Sequence, residues 1–81
     1  MKKICDLLLS KPLMLISWGY EFPILTETVF SFNVFTWSYN GRIAIQKEFN
    51  GYSLNLISRN KIYVCKDYKD IVDTLNVVLD S

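Results

Sequence analysis

The sequence predicts an α+β fold: a short N-terminal helix, a four- to five-stranded antiparallel β-meander, and a C-terminal helix packed on one sheet face. Three observations carry this expectation. Two Asn-Gly dipeptides, Asn40-Gly41 and Asn50-Gly51, divide runs of β-branched and aromatic residues, and Asn-Gly is the strongest short-range hairpin signal because a type I′ turn needs φ > 0 at both central residues. Tyr68, Ile71, Val72, Leu75, Val78 and Leu79 recur at the spacing of one helical face. A chain of 81 residues that is 51% hydrophobic and 15% aromatic has ample material for a core, which excludes disorder and gives one domain over residues 1–81.

Lys2 to Leu9 reads as the first helix, with Ile4, Cys5, Leu8 and Leu9 on one stripe and Lys2, Lys3 and Asp6 mostly off it. Eight residues do not hold a helix alone in water, so this one must dock on the rest of the chain. Pro12 pushes Lys11 towards an extended conformation and ends it. Leu13 to Trp18 is short and apolar enough for a buried strand, the reading preferred here; the alternative is a second helix with Ser10 as N-cap and Gly19 after its C-terminus. Gly19 to Thr26 carries Gly and Pro and reads as a connection or an irregular edge.

Thr28 to Tyr39, Arg42 to Phe49, Tyr52 to Ser58 and Lys61 to Cys65 are the expected meander strands, with a third tight turn at Ser58-Arg59-Asn60-Lys61 in which Arg59 would have to take φ > 0. The final helix is expected from Tyr68 to Asp80, capped by Asp67, with Asp70 in its first turn facing the positive end of the helix dipole.

If both Asn-Gly pairs are two-residue turns, Tyr39 faces Arg42, Trp37 faces Ala44, Phe35 faces Gln46 and Asn33 faces Glu48. Beyond the second turn, Phe49 then faces Tyr52, Lys47 faces Leu54 and Ile45 faces Leu56. Alternation then sorts Phe32, Val34, Ile43, Ile45, Phe49, Tyr52, Leu54, Leu56, Tyr63 and Cys65 onto a core face that receives the helices. Lys47 is the misfit there and is expected at the rim with its amine reaching solvent, or beside a bulge.

The other face would carry an apolar row, Trp37-Ala44-Ile57-Ile62, flanked by Phe35 and Tyr39 beside Arg42, with Asn33, Gln46, Glu48, Ser53 and Asn55 bordering it and Val64 nearby. An aromatic-plus-Arg centre inside a polar rim is the composition of a protein-binding hot spot. The expected partner-binding residues are therefore Phe35, Trp37, Tyr39, Arg42, Ile57 and Ile62. The competing expectation is that Leu13 to Trp18 or Gly19 to Thr26 covers this face.

Chemistry is sparse. With no His and only two Cys, far apart at Cys5 and Cys65, the common Cys/His zinc sets are excluded, and both thiols are expected reduced in the core. The carboxylates are scattered, the Asp70 and Asp73 pair reads as a solvated helix face, and the glycines serve turns and a loop, so neither an acid-base pair nor a phosphate loop emerges. No catalytic residue, cofactor or metal is expected. The net charge of +1 gives no long-range field for a nucleic-acid binder. Asp6 and Lys11-Pro12 break up the N-terminal apolar run, so neither a signal peptide nor a membrane helix is expected, and the chain is read as cytoplasmic.

These residues lead to a small non-catalytic protein-binding module whose partner is another protein or a second copy of itself. Its richness in Lys, Asn and Ile and near absence of Ala point to an AT-rich bacterial or phage source and an accessory or inhibitor-type role. The alternative is single-stranded nucleic acid bound through the sheet aromatics and Arg42. In topology alone, a meander followed by a helix resembles the Whirly-type single-strand binders, which implies that second use of the sheet.

Overall fold

The computed structural model describes the backbone of residues 1–79 and the side chains of all of these except residues 12 and 13. The elements run α1 (Lys2–Leu9), α2 (Pro12–Ser17), β1 (Glu21–Leu25), β2 (Val29–Phe35), β3 (Asn40–Glu48), β4 (Gly51–Leu56), a 3-10 turn (Ile57–Arg59), β5 (Lys61–Cys65) and α3 (Tyr68–Leu79). The five strands form one antiparallel sheet in chain order. The predicted α+β architecture is thus present, with an N-terminal helix, a meander and a C-terminal helix against the sheet. Asp80, the expected last residue of the final helix, lies outside the described residues.

The core lies on one side of that sheet. Phe30, Phe32, Val34, Ile43, Ile45, Leu54, Leu56 and Cys65 project from it to meet Ile4, Cys5 and Leu8 of α1, Leu15 and Trp18 at α2, and Ile71, Leu75, Val78 and Leu79 of α3. Each such side chain contributes about 1.5–3 kcal/mol on burial. The final helix starts as its sequence predicts: the Asp67 carboxylate accepts the Asp70 N–H at 3.0 Å, and the Asp70 carboxylate reaches back to the Lys66 N–H at 2.9 Å. Tyr68 adds a tie to the first helix, donating its hydroxyl to the Leu7 carbonyl at 3.1 Å.

Leu13 to Trp18 is helical, which corrects the preferred strand. Pro12 occupies the first turn of α2, where its missing N–H and preset φ suit a helix start, and Lys11, not Ser10, is the N-cap. Gly19 ends it at φ +64°, donating its N–H to the Ile16 carbonyl at 3.0 Å while the Tyr20 N–H reaches Leu15 at 3.1 Å. That pair of bonds is a Schellman cap. Gly19 to Thr26, expected as a connection or an irregular edge, contains the edge strand β1. It pairs with β2 irregularly, slipping register between Glu21 and Ile24, with Phe22 at φ +52° and Pro23 beside it.

Neither Asn-Gly pair is a type I′ turn. The β2–β3 connection is Thr36 to Tyr39, so Arg42 pairs with Asn33 and Asn40-Gly41 lies within β3. The β3–β4 turn is Phe49-Asn50, with Glu48 opposite Gly51, and neither turn residue has positive φ. Ile45 consequently faces Leu54 and Phe30. Threonine makes two of the turns instead. Thr36 Oγ1 accepts the Tyr39 N–H at 3.0 Å while the Thr36 N–H bonds the Tyr39 carbonyl at 2.9 Å. Thr26 repeats the motif, with its Oγ1 taking the Val29 N–H at 3.0 Å and its N–H bonding the Val29 carbonyl at 2.8 Å. At the third turn, Asn60 and not Arg59 takes the left-handed conformation, at φ 53°.

The register differs from the predicted one by even steps, so the faces survive while the neighbours change. Phe49 and Tyr39 are exceptions: Phe49 leaves the core face for the turn tip and is exposed, as is Lys47 opposite Tyr52 at the rim, while Tyr39 leaves the open face for the core. The glycines of the two Asn-Gly pairs serve close approach. A Cβ on Gly41 would overlap the Ser58 hydroxyl, and one on Gly51 would overlap the Cys65 carbonyl. Gly41→Ala should therefore lower stability in urea by about 1–3 kcal/mol. Adding Ser58→Gly should recover part of that loss, which a requirement confined to a hairpin turn would not allow.

Candidate functional site

The sheet face opposite the helices is bare among the described residues. Helix α2 packs into the core and β1 lies in the plane of the sheet, so neither segment expected to cover this face does so. Ile24, Ile62 and Val64 are 54%, 62% and 89% exposed along its two margins. Its rows, however, are not the predicted ones. Ala44 lies between Ser31 and Asn55, and Asn55 neighbours Ile62, so the row reads Ile24-Ser31-Ala44-Asn55-Ile62. Val29-Gln46-Ser53-Val64 runs beside it.

The expected aromatic centre with a polar rim is thereby inverted. The centre is polar, and Arg42 ties it together: its Nη2 and Nε donate to Ser31 Oγ at 2.8 and 3.2 Å, and its Nη1 donates to Asn33 Oδ1 at 2.8 Å. Ser31 is buried beneath this guanidinium. On β4, Ser53 donates to Glu48 at 3.0 Å, while the buried Asn55 Oδ1 has no partner among the described residues. Charge and donors at this centre are largely used within the sheet.

Tyr39 is also placed differently from the expectation. It is 3% exposed, with its hydroxyl donating to the Arg42 carbonyl at 2.6 Å and accepting the Ser58 N–H at 2.9 Å. Arg59 lies over its ring at 5.5 Å from the centroid and donates to the Ser38 carbonyl. Tyr39 thus belongs to the scaffold, because a buried phenol must satisfy its hydroxyl and here bridges two chain segments. Ile57 begins the 3-10 turn and is half-exposed.

Phe35 and Trp37 are the two expected residues that do come together, on and beside the β2–β3 turn, and they are 71% and 101% exposed. Grooves surround them. One of about 580 Å³ runs between Ser17 and Trp18, Leu79 at the end of α3, and Phe35, Thr36, Trp37 and Asn40. A second, of about 330 Å³, lies between Trp37, Tyr39, Ser58 and Arg59, and a third, of about 380 Å³, between Phe35, Gly19, Glu21 and Gly41. Asn40 borders all three. Phe35 and Trp37 are therefore ridges between adjoining depressions. Asn40 was missed as a site residue because its dipeptide reads as a turn.

Neither thiol is arranged as a nucleophile. Cys5 and Cys65 are free and buried, and burial first of all pushes both thiols up from the ordinary value of 9.0, with Asp6 adding to the shift at Cys5 and Thr74 opposing it at Cys65. Burial likewise raises Tyr20. Among the described residues no three Cys, Asp or Glu cluster as metal ligands, and no helix is long and apolar enough to cross a membrane. No family model matches the chain, and no curated protein or solved structure matches it either.

Two measurements test this geometry. Trp18 is buried and Trp37 fully exposed, so acrylamide should quench one component of the fluorescence strongly and the other weakly, and Trp37→Phe should remove the quenchable one. The raised thiols make folding weaken on the alkaline side: above pH 9.0 the unfolded chain loses those protons before the folded chain does, so stability falls as pH rises. Urea titrations from neutral to alkaline pH should show that decline, and Cys5→Ala combined with Cys65→Ala should reduce it, Tyr20 contributing the remainder at higher pH.

Proposed function

We propose that this chain is a non-catalytic protein-binding module whose contact centres on Phe35 and Trp37. The observation that carries the reading is the pair of exposed aromatic side chains standing between three grooves at the β2–β3 turn. A wholly exposed indole gains nothing from its own fold, whereas inserted between apolar side chains of a partner it supplies a large buried area. The grooves on either side receive the partner's own side chains. The partner is a protein with an apolar protrusion that fits beside Trp18 and Leu79. Arg42 and Ile62 on the neighbouring sheet face, and Ile57 at the start of the 3-10 turn, extend the contact beyond that centre.

The composition fits an accessory or inhibitor-type protein of an AT-rich bacterium or phage acting in the cytoplasm. No specific observation favours the single-stranded nucleic-acid alternative. Arg42 spends its donors on Ser31 and Asn33, and Tyr39 offers no face for stacking.

Co-purification from the native host tests the reading. The expected result is one stoichiometric protein partner, lost when Trp37→Ala or Phe35→Ala weakens binding by about 2 kcal/mol or more. Capture of oligonucleotide in place of protein, weakening steeply with salt, would instead point to the alternative.

A further inference from the structure

The two edges of the sheet are built differently. On β1, the outer edge is broken by the register slip between Glu21 and Ile24, by Phe22 at φ +52°, and by Pro23, which has no N–H to offer. These are the devices that stop an edge from accepting another strand. At the opposite edge, β5 pairs with β4 without interruption from Lys61 to Cys65, and it contains neither Pro nor a residue with positive φ. Among the described residues no strand lies on its other side.

Both flanks of β5 are prepared for an added strand. On the open face, Ile62 and Val64 stand 62% and 89% exposed. On the helix side, a groove of about 210 Å³ lies between Tyr63 and α3, walled by Asp73, Thr74, Val77 and Val78. Val77 is itself 81% exposed. Cys65 meets Thr74 at 3.7 Å while Tyr63 shares the groove with Val77 and Val78, so α3 runs back along β5. An added strand would send alternate side chains into this groove and onto the open face.

We infer that the strand β5 accepts is the β5 of a second copy, paired antiparallel about a two-fold axis at Tyr63. In that register Ile62 of each copy faces Val64 of the other, joining the two apolar margins. Lys61 of each copy faces Cys65 of the other, level with Thr74 and its neighbour Asp73. The Lys61 ammonium is already held at this edge, 5.2 Å from the Tyr63 ring centroid. Cation meets carboxylate twice by symmetry, so the edge is complementary to itself read backwards. The dimer joins the two bare sheet faces into one and does not depend on the role given to Phe35 and Trp37.

Sedimentation equilibrium across micromolar to near-millimolar concentrations tests it. The mass should rise from 9.5 kDa to twice that value, and added salt should weaken the association. Lys61→Glu and Asp73→Lys are both substitutions of exposed residues that leave the core intact, and each should weaken the dimer by about tenfold or more. The two together should restore it, and Trp37→Ala should leave it unchanged. A chain that stays monomeric at every concentration overturns the inference. So does a dimer indifferent to both charge reversals, or a double variant weaker than either single one.

Discussion

The buried hydroxyl of Tyr39 is the constraint around which the rest of this structure is arranged. A phenol taken out of water must keep its hydrogen bonds, and this one makes two, donating to Arg42 on β3 and accepting from Ser58 beyond β4. Those bonds draw the 3-10 turn across the start of β3, and the closeness of that crossing, together with a φ of +152°, favours glycine at position 41. They also require the β2–β3 connection to turn before Tyr39 and not after it, which is the work of Thr36. Once Tyr39 points inward, the four-residue turn leaves Trp37 in solvent. The scaffold residue and the proposed contact residue are two outcomes of one turn.

What the sequence made legible follows from the two periodicities. The period of two along the strands sorted core from solvent correctly for Phe32, Val34, Ile43, Ile45, Leu54, Leu56 and Cys65, because the register errors were even and an even slip keeps every side chain on its face. The helical period placed α3 and its Asp67 cap for the same reason of regularity. Cross-strand neighbours were not legible. Two Asn-Gly pairs offered a strong local turn, but close packing against Ser58 and Cys65 gives their glycines a tertiary role, and between β2 and β3 the quieter Thr36 turn prevails. Leu13 to Trp18 was too short for period alone to separate strand from helix; Pro12 at the start of α2 and the Gly19 cap at its end favour the helix.

The bare sheet face shows how a polar surface can be rigid without being reactive. Arg42 lies across Ser31 and Asn33, so its charge is held by hydrogen bonds to neutral groups and is not paired with a carboxylate there. A partner approaching that face meets donors already spent within the sheet and little side-chain entropy left to lose. The apolar residues stand at its margins, Ile24 on one side and Ile62 and Val64 on the other. Recognition across such a face would be strongest where it borders another surface.

The irregularity of β1 has a consequence for how far assembly can proceed. A sheet open at both edges adds copies head to tail without end, and its products are filaments. Here Pro23 and the left-handed Phe22 break one edge, so growth through the other would terminate after a single addition. In the proposed dimer, the kink in the first strand would act as a chain terminator, confining the β5 edge to a closed pair and keeping a β-rich chain from polymerising.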